Sequence, residues 1–366
     1  MKKVGREVLF LAPKQDNPRN GEGTFLKLRD GRIMYAYSRY RGDKRYDDCM
    51  ADISAVFSED GGKTWKDERI IVEHTDYAIN CMCPSLIRLS NGDIGLLVLR
   101  KTNGTKCSIF EFFRSSDECN SWNSSVCFDF PEDDYYIIEN DHILMLSTGR
   151  IIVPINLHRN IKKEDGTIAF NYHGKMMFYA SDDDGRSWYK ISDEYDLPYP
   201  EISRTGLQET TVYERSDGTL VSYSRTDLLC QYESFSYDCG KTWTSPRPNV
   251  FFSSPDSPLL IRRIKDGMFA AVFNPIPKYT TCKSKSNHPD DNANWGRTPF
   301  VLAISKNDGK SFDSIYYLED DLSNGYCYPS ILDCDDHLLI GYYHSNGTGI
   351  PLNSNKIVWI DYTELD

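Results

Sequence analysis

The sequence predicts an all-β fold, a single six-bladed β-propeller over residues 1–366. Two repeats and one absence point there. One repeat is an eight-residue box, S-x-D-x-G-x-[ST]-W; the other is a Gly-containing hairpin turn between alternating apolar stretches. The absence is of any long segment with a 3.6-residue apolar period. At about 150 residues per domain the length would suggest two domains or more, but large all-β folds run as one unit. No Pro/Gly/Ser-rich linker divides the chain.

The box is intact at Ser58–Trp65, Ser181–Trp188 and Ser236–Trp243. It is degenerate at Ser115–Trp122, where Cys119 replaces Gly, and at Ser305–Phe312, where Asn307 replaces Asp and Phe312 replaces Trp. In such a turn Asp folds back onto backbone N–H groups, Gly accepts positive φ, and the aromatic ring packs between sheets. A calcium loop would need more carboxylates in register than these copies share. The hairpin turns centre on Asp30-Gly31, Asn91-Gly92, Thr148-Gly149, Asp217-Gly218, Asp266-Gly267 and, without Gly, Asp335-Asp336. They recur roughly 50 to 70 residues apart, about one four-stranded blade each, so six hairpins imply six blades.

Hydrophobic residues at 40% leave ample material for a core, and a net charge of −12 gives no basic field for nucleic acid. Anionic ligands would need local cations. The apolar runs, such as Ile94–Leu99 and Ile151–Ile155, are too short to span a membrane. The eleven cysteines lack the paired spacing of a zinc site, and Val8–Ala12 is too short for a secretory core. A reduced, cytoplasmic protein is expected, without metal or cofactor; oligomeric state has no signature in the sequence.

Strand direction places both turn types on one face. The other face gathers inner-strand starts (Glu22, Cys83, Asp141, Glu209, Asp256, Tyr328) and second-strand ends (Arg39, Arg100, His158, Arg225, Asn274, His344). Loops into third strands add Asp47, Asp48, Asp52 and Arg297. Any one charged loop residue is ordinarily just solvated. Several arginines, carboxylates and a tyrosine at one end of an axial channel make a polar constellation suited to a ligand.

These boxes and three further segments resemble the sialidase superfamily of six-bladed propellers, over nearly the whole chain. QETTVYERSDGTLVSYSR is similar to the family stretch that implies Glu209 and Arg225 as site residues. RTPFVLAISKNDGKSF implies Arg297 as a substrate-binding residue, and YCYPSIL implies Tyr328 as nucleophile. The resemblance further implies that Glu209 takes the proton of Tyr328, a phenol too weakly acidic to react alone. It also implies an acid/base Asp before the first box, where Asp47 is preferred to Asp48 and Asp52. The implied activity is a retaining exo-glycosidase releasing a terminal sialic acid or related sugar from a glycan. One departure stands out: the family's first-blade Arg is replaced here by NGEGTFLKL, with Gly21 and Glu22. An acidic Glu22 there would repel a substrate carboxylate unless Arg39 or Arg100 compensates; Glu22 could instead pair with one of those arginines or accept hydroxyls from a sugar. Two other functions suit the same fold: a non-catalytic glycan-binding propeller, and a polysaccharide lyase in which Tyr328 or His158 abstracts a proton.

Overall fold

Six antiparallel sheets ring a common axis in the computed structural model, which describes residues 1–76, 78–102, 108–130, 134–276, 296–345 and 352–365. From axis to rim, blade 1 comprises Asn20–Lys27, Ile33–Tyr40, Ala51–Ser58 and Lys66–Val72. Blade 2 comprises Ala78–Arg88, Ile94–Thr102, Ser108–Ser115 and Ser124–Cys127. Blade 4 runs Gln208–Glu214, Leu220–Arg225, Cys230–Ser236 and Arg247–Ser253; blade 5 runs Leu260–Arg263, Phe269–Phe273, Phe300–Ser305 and Ser314–Glu319.

Blade 3 differs at the axis. Its inner strand is split into Tyr135–Ile137 and Leu144–Met145, both paired with Ile151–His158, followed outward by Gly174–Ser181 and Tyr189–Lys190. The intervening residues leave the sheet and cross the channel. Asn140 Nδ2 donates to Gly23 O at 2.7 Å and Pro329 O at 3.1 Å, tying blade 3 to blades 1 and 6.

Blade 6 is closed by both ends of the chain. Tyr326–Asp333, His337–His344 and Ser354–Asp361 supply three strands, and Arg6–Leu11 adds the outermost one, with Arg6 opposite Trp359 and Leu11 opposite Asn355. This explains five boxes for six blades. Each box joins a third strand to a fourth, and the fourth strand of blade 6 comes from the far end of the sequence.

The second strands are covered on both faces by neighbouring blades, so they read as largely apolar runs; all eight residues of Ile151–His158 are buried. The core divides into clusters between adjacent blades. Leu26, Met34 and Ile53 of blade 1 meet Leu86, Ile94 and Leu96 of blade 2, while Phe25 and Tyr35 close the ring against Leu339 and Ile357.

The boxes work as hydrogen-bonded turns. In the first, Asp60 Oδ1 accepts from the N–H groups of Lys63 and Thr64 at 3.0 and 2.9 Å, and Ser58 Oγ accepts from Gly62 N at 2.8 Å. Burial pushes the Asp60 carboxyl up, but the donors from Thr64 and Ser58 outweigh it and hold it at about 2. Asn307 does the same work in the degenerate copy: its Oδ1 accepts from Ser311 N at 2.9 Å and its Nδ2 donates to Ser311 Oγ at 2.8 Å. Hairpin turns touch the box of the next blade on the same face, as where Ser90 N donates to Asp184 at 3.0 Å and Ser216 N to Asp308. The opposite face is left for the site.

The box glycine is required twice over, by φ of +78° at Gly185 and by contact with the previous blade, since a Cβ there would stand 2.3 Å from Phe112. Gly185→Ala is expected to destabilise the propeller by about 2–4 kcal/mol, combining left-handed strain with overpacking. Urea unfolding measures this directly, and a loss below about 0.5 kcal/mol would contradict the packing role.

Candidate active site

The inner strands begin with matching irregularities. In blades 1, 2, 4 and 6 three residues of the inner strand span two of the second: Asn20–Gly23, Met82–Ser85, Gln208–Thr211 and Cys327–Ser330. Each is a β-bulge, which breaks the alternation and re-aims a side chain. The bulge residues Cys83, Glu209 and Tyr328 have φ of 53°, 46° and 52°. Left-handed conformations at such residues cost about 1–3 kcal/mol each and are kept where the surroundings fix them.

Two of these bulges set the central contact. Tyr328 Oη donates to Glu209 Oε1 at 2.8 Å, and Arg225 Nη1 donates to that same oxygen. Arg225 also bonds through Nε to Asp256, so its guanidinium is held between two carboxylates. Arg297 lies over the Tyr328 ring at 5.3 Å and donates through Nε and Nη2 to Asp256 O at 3.2 and 3.0 Å. Its Nη1 is 3.1 Å from Cys327 Sγ. Burial, and after it the Glu209 charge, hold the Tyr328 phenol well above 10 despite Arg297.

On the blade 1 side stands Arg19, which sequence reasoning missed. Its Nε donates to Tyr343 Oη at 2.7 Å, its Nη1 to Asp47 Oδ1 at 2.5 Å and to Arg45 O at 3.1 Å. The guanidinium lies over Tyr40 and Tyr343, and Tyr343 packs edge-on against Tyr328 at 5.6 Å. Crowding by the surrounding pocket raises the Asp47 carboxyl although its side chain reaches solvent, but Arg19 and Lys101 overcome this and hold it at about 2. Glu22 is buried: its Oε1 accepts from Ser38 Oγ at 3.1 Å and lies 3.3 Å from both Cys83 N and Cys83 Sγ. Arg19 Nη2 is 3.9 Å from the other Glu22 oxygen.

Glu139, just before the axial Asn140, is 7% exposed and makes no side-chain hydrogen bond or ion pair with a described residue. Burial first, then the neighbouring charges of Glu209 and Glu22, keep its carboxyl well above the usual range, which favours the protonated form. Lys101 lies over Tyr135 at 5.4 Å.

The structure thus brings Glu209, Arg225, Arg297 and Tyr328 together, with Asp47 and Glu22 at the same cluster. It does not bring Arg39 or Arg100 there. Arg39 pairs with Glu68 on the outer strand at 3.5 Å; Arg100 pairs with Glu111 at 2.5 Å and donates to Glu73 O. Side chains alternate along a strand, so the adjacent Tyr40 and Lys101 face the site instead. The same offset applies in blade 6, where Tyr343 reaches the cluster and His344 packs on Phe10 and Tyr326.

Among the loop aspartates, Asp52 is engaged by Arg41 and by His74 Nδ1 at 2.9 Å, and Asp48 is exposed beside the Cys49 thiol. His158 is buried behind Tyr135, with Nδ1 3.0 Å from Asn171 O, and burial lowers it to about 4, leaving a neutral ring. Asp141 lies deeper in the channel, accepting from Thr24 Oγ1 at 2.8 Å, and Asn274 is internally bonded to Ser257 and Pro299. At the departure point, Gly21 has no room for a side chain: a Cβ would stand 2.7 Å from Tyr343 Oη and 2.9 Å from Ser38 Cβ.

The family model described as a BNR repeat-like domain matches residues 22–344. No curated protein matches the chain. Among solved structures, a protein of unknown function from Dyadobacter fermentans superposes with a TM-score of 0.69 at 18% identity, covering 97% of this chain and 99% of its own. The K499G mutant of NanB sialidase from Streptococcus pneumoniae gives 0.71 at 14% identity, over 100% of this chain and 71% of its own. The intramolecular trans-sialidase from Ruminococcus gnavus, in complex with oseltamivir carboxylate, gives 0.72 at 14% identity over 99% and 98%. Identities this low establish a shared fold.

Proposed function

The chain belongs to the BNR repeat-like family and has the sialidase-type propeller, and on that premise we propose that it is a retaining glycoside hydrolase releasing a terminal sugar, a sialic acid or a related one, from a glycan. The observation that carries this is the 2.8 Å hydrogen bond from Tyr328 Oη to Glu209 Oε1 at the axial pocket. In the first half-reaction Tyr328 Oη bonds to the anomeric carbon, its proton passes to Glu209, and the glycosidic C–O bond breaks. In the second, water displaces the tyrosyl oxygen and the phenol is restored, so two inversions give net retention. A phenol suits this pocket. A carboxylate nucleophile would have to ionise beside Glu22, Glu209 and Glu139, whereas Tyr328 is neutral until its proton moves.

Asp47 is the acid/base of this scheme. Its side chain is 58% exposed on the loop between the second and third strands of blade 1. Arg19 keeps it ionised in the free protein, so it must leave Arg19 and take up a proton from solvent water before it can protonate a leaving oxygen. As a base toward water in the second half-reaction it is already in the required form.

No helix among the described residues is long and apolar enough to cross a membrane. The nine described cysteines are free thiols. The test is a panel of aryl glycosides, sialosides included, with the anomeric configuration of the released sugar followed by proton NMR. First-formed product of retained configuration is expected; inverted product, or hydrolysis of no glycoside, would overturn the proposal.

A further inference from the structure

Among the described residues the charges of the pocket balance: Arg19, Lys101, Arg225 and Arg297 face the carboxylates of Glu22, Asp47, Glu209 and Asp256, with the carboxyl of Glu139, held well above its usual range, beside them. Binding a carboxylate strongly takes a guanidinium with a free pair of parallel donors, and a surplus of positive charge around it. Among the described residues neither is on offer. Arg225 spends Nε and Nη1 on two carboxylates, Arg297 spends Nε and Nη2 on one backbone carbonyl and Nη1 on the Cys327 thiol, and Arg19 is shared among Asp47, Tyr343 and Glu22. A third clamp at position 21 is shut out by Tyr343 and Ser38, and the next residue is the buried Glu22. An acidic sugar would therefore enter a pocket that has already neutralised its cations and would meet Glu22.

We infer that the terminal sugar accepted here is uncharged, and that it is recognised through its hydroxyl groups by the carboxyl groups of Glu22 and Glu139 rather than through a carboxylate by arginines. This rests on the hydrolase reading above and narrows its substrate from a sialic acid or related sugar to a neutral sugar. The chemistry suits polyols. A carboxylate can accept several hydroxyl hydrogen bonds, as Glu22 already accepts one from Ser38, and a protonated carboxyl both donates and accepts. Glu139, having no protein partner among the described residues, has its hydrogen-bonding capacity free for a ligand.

Calorimetry on Tyr328→Phe protein at pH 7 compares methyl glycosides of galactose, glucose, mannose, fucose and N-acetylglucosamine with methyl sialoside and methyl glucuronide. At least one neutral glycoside is expected to bind tenfold or more tighter than either acidic one. Glu22→Gln and Glu139→Ala are then expected to weaken the neutral ligand about fivefold or more. Glu22→Gln should in addition strengthen the acidic ones, a divergence that general damage to the pocket would not produce. An acidic sugar binding tighter than every neutral one, both classes moving together in Glu22→Gln, or no binding of either class overturns the inference. Neutral sugars that bind but are not hydrolysed by the wild-type protein overturn the hydrolase reading and leave this one standing.

Discussion

Tyr328→Phe is expected to reduce kcat by roughly 10³-fold or more while ligand affinity changes less than about fivefold. The change removes one oxygen. The ring keeps its edge-on contact with Tyr343 and its place under Arg297, and Glu209 Oε1 keeps the donor from Arg225. Folding stability should fall by no more than about 1 kcal/mol, the net worth of one hydrogen bond whose acceptor remains satisfied. The transition state, by contrast, loses the atom that forms the covalent bond. Parallel measurement of hydrolysis and binding separates the two effects. A variant that turns over near the wild-type rate removes the nucleophile assignment, and one that binds nothing points to collapse of the pocket.

Glu209→Gln should lower kcat at pH 7 by about 10²–10³-fold, the usual worth of a positioned general base. Burial holds the phenol well above 10, so without Glu209 only the rare phenolate can attack. That predicts a distinctive pH profile: kcat of the variant rises about tenfold per pH unit from 7 to 9, whereas the parent, which passes the proton directly to Glu209, lacks that slope. The substitution also strips Arg225 of one of its two carboxylates, which lowers the phenol and makes the alkaline recovery easier. A variant with a flat profile and full activity would place the base elsewhere.

How much of this was legible in the sequence can be argued residue by residue. The blades were legible because each announces itself by a hairpin turn, and five of the six by a box as well. The closing strand was not: Arg6–Leu11 pairs with residues some 350 positions away, and nothing local marks such a partner. Glu209, Arg225, Arg297 and Tyr328 lie at strand ends whose register the turns define. Arg39 and Arg100 show where counting fails. A count from the turn to within two residues cannot choose between neighbours on opposite faces of a pleated strand, and here the choice fell on the wrong one. Arg19 escaped because it lies just before the first inner strand, outside the strand-start and strand-end positions that the turns allow one to count. Glu139 escaped because the blade 3 inner strand is interrupted at the axis, which no periodicity of so short a stretch reveals. The absent first-blade arginine, however, was visible in NGEG, and the structure supplies its physical reason in the close approach of Tyr343 to Gly21.

The central claim is covalent chemistry at Tyr328, and trapping tests it most directly. Protein quenched in acid during turnover of an activated aryl glycoside identified by the panel, then digested and examined by mass spectrometry, should carry one glycosyl unit on the peptide containing Tyr328. The adduct should be absent from Tyr328→Phe. A glycosyl unit found instead on Asp47 or Glu209, or a protein that turns over with no adduct on any residue while releasing product of inverted configuration, would contradict the account.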